Sequence, residues 1–537
     1  MRRYFSLSVS FLLVVGLSAL PVLPIQAQPN VLLVNIDDLN NFPANYYPDL
    51  DTPNIDRLAA SGVAFKNAHS PVPACNPSRT AILMGMHPDI TGITLNSQYD
   101  FRNDAPILAD KPSMPQHFRD SGYRIVGAGK LFHLPNDDAG YTTWDEYTLE
   151  VAEGTINDYD VPGGRPMNGL TGLALTDPDG IMGILPTGHD WGYFEFEDDP
   201  DTYTGISDAS VFPDRTDETP DYERATWGVT KIQEAASTVE PMFVSVGFYR
   251  PHVPLYCPKR FFDMIADPIT DPPYLATDLT DIADPMGWIS VDADMEFASA
   301  RDGVDYENQM TRSYVACVAF ADEQLGRLLD AVDASQEQWI VILWGDHGWQ
   351  TGEKDRWQKF TLWDRGTRTT LIMSGPDFTP GIEIDVAVSL LDIFPTLTDY
   401  AGLATPTHLS GRSLRRLLDG IAEDHPIKLV FDGSWNSFLA VKSEEWTYIL
   451  NTTTGTDELY DKVVDPNEWW NVADNPANDA IKEWLVPEPS VETLLLFGTM
   501  GLAAIGARRR ASSNRGATHG RRERSPSVRV TMRTAIP

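Results

Sequence analysis

Cysteine is scarce, with three residues, Cys75, Cys257 and Cys317, in a chain of 537. That excludes a disulfide framework as the source of stability, because at most one pair remains once any of the three is given to chemistry. Whether Cys257 and Cys317 pair is open at this level. Positive charge is scarce too: 41 lysines and arginines stand against 77 aspartates and glutamates, a net charge of −36. Two arginines in residues 1–27, and nine arginines against one glutamate in residues 508–537, leave the stretch between at −46. So acidic a body argues against nucleic acid as a partner, and an anionic substrate would need a locally positive pocket. Apolar residues, at 42%, suffice for a packed interior, and the length suits one large domain with a smaller one beside it. No internal repeat is visible.

The ends differ from the body. Residues 1–27 open with Arg2 and Arg3, run through the apolar stretch Phe11 to Leu20 and close on Ile25-Gln26-Ala27. The stretch is short for a spanning helix and reads as a secretory signal peptide cleaved after Ala27, so the protein is expected to be exported. At the other end Val486-Pro487-Glu488-Pro489-Ser490 precedes an apolar run from Thr493 to Ala507 and then Arg508-Arg509-Arg510. Apolar followed by basic is the pattern of a membrane segment with its flank in the cytoplasm, and the run has no polar face of the kind an ordinary amphipathic helix needs. Segment 486–510 resembles the PEP-CTERM sorting signal of bacterial exported proteins, which is read by an exosortase-like membrane protease. That resemblance implies the bacterial cell envelope or the extracellular space, with this segment as a membrane anchor. Residues 511–537, rich in Arg, Ser and Gly, read as a disordered basic tail.

Within the body, Cys75-Asn76-Pro77-Ser78-Arg79 leads into Thr80-Ala81-Ile82-Leu83-Met84-Gly85, a helix-like run whose first turn carries the thiol. A buried structural cysteine is the plain alternative, Cys being among the most buried residue types. The sharper reading is a nucleophile precursor at a helix N-terminus, where backbone N–H groups and the helix dipole favour an anion, with Arg79 adding a fixed charge one turn along.

The run Val31-Leu32-Leu33-Val34-Asn35-Ile36 suits a strand buried on both faces at the centre of a parallel sheet. It delivers Asp37-Asp38 to the strand's C-terminal end, where ligand sites gather in open α/β sheets. Adjacent buried carboxylates repel unless a cation sits between them, although two solvated loop acids would look the same. Trp339 to Trp344 repeats the pattern and ends in Gly345-Asp346-His347-Gly348. Met242 to Phe248 is a third such strand, leading to Arg250-Pro251-His252-Val253-Pro254, where prolines on both sides stiffen the backbone of His252. Gly127-Ala128-Gly129-Lys130-Leu131-Phe132-His133 follows a further strand; as a nucleotide loop it lacks the third glycine and the ribose-binding acid. Thr52-Pro53-Asn54 opens a helix with proline first, and residues 309–333, with Tyr314, Val318, Leu325 and Leu328 at helical spacing, read as a core helix without evident chemistry. Residues 134–228, including His189-Asp190-Trp191-Gly192, read as a long loop region suited to substrate selection. Short antiparallel strands are expected at Ile427 to Phe431, Ser437 to Val441 and Thr447 to Leu450, before Glu458-Leu459-Tyr460-Asp461.

In this order, over residues 29–475, the motifs resemble those of the formylglycine-dependent (type I) sulfatase family, in its iduronate-2-sulfatase-like branch. Cys75, Pro77, Ser78, Arg79, Leu83 and Gly85 fit the family signature, with Met84 where Thr is usual; Gly129-Lys130-x-Phe132-His133, Pro251-His252-x-Pro254 and Glu458-Leu459-Tyr460-Asp461 fit the branch. The resemblance implies an α/β fold, an alkaline-phosphatase-like mixed sheet sandwiched by helices over residues 28–420, with a small C-terminal antiparallel sheet over 421–480. It implies that a formylglycine-generating or sulfatase-maturing enzyme converts Cys75 to formylglycine, whose hydrate attacks sulfur and forms a covalent sulfoenzyme. It also implies one divalent metal, calcium, held by Asp37, Asp38, Cys75, Asp346 and His347. Arg79 would hold the diol, Lys130, Lys359 and His252 would stabilise developing charge, and His133 would take the proton that frees sulfate. Either His252 or Lys359 would protonate the leaving oxygen. The substrate implied is a sulfated sugar or polysaccharide, such as a 2-O-sulfated uronate. The alternatives are a phosphomonoesterase or phosphodiesterase of the same superfamily and a catalytically dead surface glycan-binding protein.

Overall fold

The computed structural model describes residues 28–98, 100–133, 144–148, 191–194, 219–253, 255–283, 305–421, 425–432 and 436–485, with backbone alone at 191–194, 256, 259 and 306. The expected signal peptide, sorting segment and basic tail, and most of the loop region with His189 and Asp190, lie outside the described residues.

Eight strands form one sheet: β1 (Asn30–Ile36), β2 (Gly62–Phe65), β3 (Arg124–Gly129), β4 (Glu146–Thr148), β5 (Met242–Phe248), β6 (Trp339–Gly345), β7 (Leu371–Ser374) and β8 (Ile382–Ile384). Their order is β8-β2-β7-β6-β1-β5-β3-β4. The sheet is mixed, because β6, β1, β5, β3 and β4 run parallel while β7 is antiparallel to both β6 and β2. Every residue of β1 is buried, including Asn35 within its largely apolar run. Leu32, Val34 and Ile36 point into one core and Val31 and Leu33 into another, on opposite faces of the sheet.

Helices α1 (Pro53–Ser61), α2 (Cys75–Met84), α3 (Met114–Asp120), α4 (Pro220–Glu234), α5 (Tyr306–Ser335) and α6 (Ile393–Tyr400) cover those faces. Ile55 of α1, Ile232 of α4 and Leu325 of α5 join the first core; Leu83 of α2, Phe118 of α3 and Phe394 of α6 join the second. The expected sandwich is therefore present. Helix α1 is capped from a distance: the Thr52 side chain makes no capping bond, and Asp322 of α5 accepts from Ile55 N at 2.8 Å and Asn54 N at 3.2 Å. Helix α4 begins inside the stretch expected to be loop. Its start is ordinary, with Thr219 Oγ1 accepting from Tyr222 N at 3.3 Å and Pro220 at the first position.

A second sheet is an antiparallel meander of β9 (Ile427–Asp432), β10 (Ser437–Lys442), β11 (Trp446–Asn451) and β12 (Asp457–Asp461). The Glu-Leu-Tyr-Asp motif is itself the fourth strand. Ile427, Leu429 and Phe431 alternate inward from β9 and pack with Leu362 and Trp363 of the main body. Among the described residues no helix is long and apolar enough to cross a membrane. Cys257 and Cys317 are buried free thiols; burial and then a hydrogen bond with Cys317 push the Cys257 thiol well above its ordinary value.

Candidate active site

Register brings the candidate residues together. Ile36 lies opposite both Phe248 and Gly345, and Gly129 opposite Gly247, so β6, β1, β5 and β3 end at one level. The residues that follow are Asp346 and His347, Asp37 and Asp38, Arg250 to His252, and Lys130 to His133, side by side at the C-terminal edge. Two glycines permit the close approach there. A Cβ on Gly129 (φ +80°) would lie 2.1 Å from the Gly247 carbonyl oxygen, and one on Gly247 2.3 Å from that of Lys130.

Helix α2 aims its N-terminus at this edge. Cys75 occupies its first turn with no side-chain cap, and Arg79, one turn on, is fully buried. Arg79 Nε donates to Asp346 Oδ2 at 2.8 Å and Nη2 to Asp37 Oδ1 at 2.9 Å, while Nη1 donates to the carbonyls of Lys130 and Leu131 at 2.6 and 3.0 Å. One guanidinium thus ties the ends of three strands to α2. Lys130 Nζ donates to the other oxygen of Asp37. Lys359 Nζ donates to Asp38 Oδ1 at 2.9 Å and sits 2.9 Å from Cys75 Sγ. His347 Nδ1 donates to the Gly348 carbonyl at 2.9 Å, which turns Nε2 toward Asp38 Oδ1 at 3.1 Å and Cys75 Sγ at 3.3 Å.

The electrostatics differ from carboxylate to carboxylate. Burial would push Asp37 up, but Lys130 and Arg79 hold it well below the usual carboxylate range. Asp38 is pushed up to about 7 by burial, with Lys359 opposing and Cys75 and Asp37 adding to the rise. Burial works against a proton on His347, yet Asp346, Cys75 and Asp38 raise it to about 9. Burial would raise the Cys75 thiol, and Lys359 lowers it below its ordinary value. Asp38 also holds a left-handed backbone (φ 59°) while fully buried, a strain that persists only where the surroundings fix it.

Donor atoms of Asp38, Cys75, Asp346 and His347 lie within 4.8 Å of one another, all buried; Asp37, Cys75 and His252 form a second such group. A cation fits the first. Two carboxylates and an imidazole lone pair converge on one point, and the elevated proton affinities of Asp38 and His347 mark a place short of positive charge. The donors are mostly hard oxygen with a single nitrogen.

The remaining expected residues stand at the rim. His252 Nδ1 lies 2.6 Å from the Val253 carbonyl and its Nε2 3.9 Å from Asp38 Oδ2. Burial, then Lys130 and Lys359, lower it well below the ordinary histidine value. His133 is lowered to about 3 by burial and then Lys130, and its buried Nδ1 has no hydrogen-bond partner among the described residues.

Two contributors, Tyr314 and Asp221, were not expected from sequence, and Ser78 of the signature makes a bond that the signature does not reveal. Tyr314, assigned there to a helix without chemistry, donates from its hydroxyl to the Asp38 carbonyl at 2.9 Å and accepts from Asn40 N at 3.0 Å, so it braces the strained backbone. Ser78 Oγ donates to the Asp346 carbonyl at 2.5 Å. Asp221 of α4 accepts from the N–H groups of Tyr249 and Arg250, each at 2.9 Å, and so sets the turn that presents His252. Neither Tyr314 nor Asp221 has a local sequence signal, since each acts through a neighbour distant in the chain.

Three family models and several known proteins match the chain. The family model described as Sulfatase matches residues 29–403, that of the N-sulphoglucosamine sulphohydrolase C-terminal region matches 345–489, and the PEP-CTERM protein-sorting motif matches 485–510. A sulfatase of Formosa agariphila is 34% identical over 462 residues, 83% of either chain. Human iduronate 2-sulfatase is 27% identical over 420 residues, 70% of either chain. Among solved structures, the phosphonate monoester hydrolase of Silicibacter pomeroyi superposes with a TM-score of 0.61 at 18% identity, covering 90% of this chain and 96% of its own, a likeness of fold.

Proposed function

Because the chain belongs to the sulfatase family, whose members hydrolyse sulfate esters, we propose that it acts on sulfated sugars or polysaccharides through a formylglycine made from Cys75. The observation that carries this reading is the position of Cys75. It sits in the first turn of a buried helix, with its sulfur 2.9 Å from Lys359 Nζ and 3.3 Å from His347 Nε2. A thiol so enclosed by ligand-type and cationic groups supports a part in the chemistry over one in packing.

Asp37, Asp38, Asp346 and His347, with the modified residue 75, would hold one divalent metal, and the largely hard donor set suits calcium. Such a metal would help to neutralise the sulfuryl oxygens, and the hydrated aldehyde at residue 75 would provide a hydroxyl nucleophile. Arg79 fixes the geometry by spanning Asp37 and Asp346. Lys130 and Lys359, 8% and 7% exposed, bring positive charge to an otherwise acidic body at the one place where an anion must enter. A neutral His252 that donates Nδ1–H to Val253 offers a lone pair at Nε2. That arrangement favours Lys359 as donor of the proton to the leaving oxygen and leaves His252 to contact the ester. Neutral His133, with its unpartnered nitrogen, is the group to accept the proton from the residue-75 diol.

The likeness to human iduronate 2-sulfatase supports a 2-O-sulfated uronate or a related sulfated sugar. The PEP-CTERM match supports export and sorting to the envelope, with an exosortase-like protease as partner. The test has two parts. Mass spectrometry of the Cys75 peptide from protein made with a formylglycine-generating enzyme is expected to show the thiol replaced by an aldehyde. The same protein is expected to release sulfate from sulfated disaccharides or an aryl sulfate much faster than phosphate from an aryl phosphate. An intact thiol despite a competent maturing enzyme overturns the mechanism, and preferred phosphate release favours the phosphoesterase reading that the shared fold allows.

A further inference from the structure

Lys359 does not lie at the end of a strand of the main sheet. It follows a small hairpin in which Gln350–Thr351 pairs antiparallel with Trp357–Gln358. Four residues of this short segment that are not glycine have left-handed backbones: Lys354 (φ 55°), Asp355 (φ 50°), Gln358 (φ 69°) and Phe360 (φ 77°). Elsewhere among the described residues such conformations occur singly. Lys359 is therefore flanked on both sides by strained residues, and strain of this kind persists only where other contacts enforce it.

The enforcing contacts come from outside the hairpin. Lys354, 5% exposed at its tip, donates from Nζ to Asp278 Oδ1 at 2.6 Å and to the backbone carbonyl of Glu468. Glu468 follows β12, is 1% exposed and is itself left-handed (φ 57°). Its carboxylate is held by Asp364 N at 2.7 Å and by Lys442 of β10 at 3.4 Å. On the hairpin's other side Phe360 N donates to the Pro73 carbonyl at 3.1 Å, two residues before Cys75.

We infer that Lys354, clamped between Asp278 and Glu468, is a positioning residue for Lys359, and that the C-terminal sheet thereby holds part of the active site in shape. This inference rests on the reading of Lys359 as an active-site residue. Lys354 touches none of the reacting groups; it fixes the hairpin that aims Lys359 Nζ at Cys75 and Asp38.

The test is a double-mutant cycle on the full, matured chain, with sulfate release from an aryl sulfate and sulfated disaccharides as the readout. Lys354→Met combined with Asp278→Asn removes both buried charges together, so neither is left uncompensated. The pair of substitutions is expected to lower kcat by roughly 10- to 100-fold with KM nearly unchanged, the scale of an ångström-level misplacement of a catalytic group. In a Lys359→Ala background it should cause no further loss. Glu468→Gln, which keeps the side chain's shape, is expected to give the same non-additive pattern at smaller amplitude, and it serves if the first combination does not fold. Equal losses in both backgrounds, or no loss in either, overturn the inference and leave the site reading intact. Undiminished turnover by Lys359→Ala alone overturns the site reading and this inference with it.

Discussion

At the ends of β1 and β6, the carboxylates of Asp37, Asp38 and Asp346 are buried within reach of one another. Where the C-terminal sheet meets the main body, Glu458, Glu468 and Asp364 are also buried. The two groups satisfy their charges differently. At the junction the protein supplies the partners: Glu458 Oε2 accepts from Trp363 Nε1 at 2.7 Å and Tyr460 Oη at 2.6 Å, Glu468 is shared by Asp364 N and Lys442, and Asp364 pairs with Arg368 at 3.2 Å. Burial would raise Asp364, but Arg368 and Lys462 hold it far below the carboxylate range. Burial also raises Glu458, and at the strand ends Asp37 is held low by Lys130 and Arg79, but there Asp38 is pushed up to about 7 and His347 to about 9. A closed set of buried charges is structural. A buried set whose donor atoms lie within 4.8 Å of one another, as those of Asp38, Cys75, Asp346 and His347 do, could hold a cation.

The comparison breaks most visibly at Cys75. Cys75→Ala should abolish sulfate release by at least about 10⁴-fold, the scale of nucleophile removal. Thermal unfolding should hardly change, because a small buried side chain is replaced by a slightly smaller one. A variant that keeps more than a few per cent of wild-type turnover would mean that residue 75 is packing after all.

Arg79 comes next. It is fully buried and neutralises Asp37 and Asp346 together. Arg79→Met should therefore cost about 3–5 kcal/mol of folding stability, because two buried carboxylates lose their shared cation. Urea denaturation read by tryptophan fluorescence measures this directly. A cost below about 1 kcal/mol would mean that water reaches these carboxylates.

Metal removal separates the two regions without mutation. If the strand-end donors bind a divalent ion, adding calcium at a hundred times its dissociation constant to chelated protein should raise stability by about 2.7 kcal/mol. Glu468→Gln should leave that increment unchanged, since Glu468 belongs to the closed set. Equal melting temperatures with chelator and with calcium would remove the case for the ion.

Much of the strand-end region was legible in the sequence. A short, largely apolar, β-branched-rich run suits a strand buried on both faces, so the acids after Ile36 and Gly345 were expected at a sheet edge. The Cys75 helix announced itself through its proline and its closing glycine. The junction was not legible. Glu468 acts through its backbone carbonyl on a lysine more than a hundred residues away, and Asp322 caps α1 across the core. Left-handed Lys354, Gln358 and Phe360 carry none of the glycine or asparagine that usually flags such backbone. Helix α4 was missed although Thr219-Pro220-Asp221 marks its start, because the composition around it reads as loop.

The smallest effect sharpens the comparison from the other side. Arg368 also pairs with a buried carboxylate, Asp364 at 3.2 Å, and donates to the Lys66 carbonyl at 2.6 Å. Its side chain is 32% exposed, so its charge is already shared with solvent. When it is removed, water can take its place, and Lys462 still lowers the affinity of Asp364 for a proton. Arg368→Ala should accordingly cost only about 0.5–1 kcal/mol, against several for Arg79→Met, and leave sulfate release unchanged. Arg79 is fully buried between two carboxylates and Arg368 is partly exposed beside one, so the gap between the two variants reflects burial together with the number of charges each cation neutralises. If Arg368→Ala proved as costly as Arg79→Met, the junction would be as dependent on a single cation as the strand ends, and the distinction between a closed structural set and an open functional one would fail.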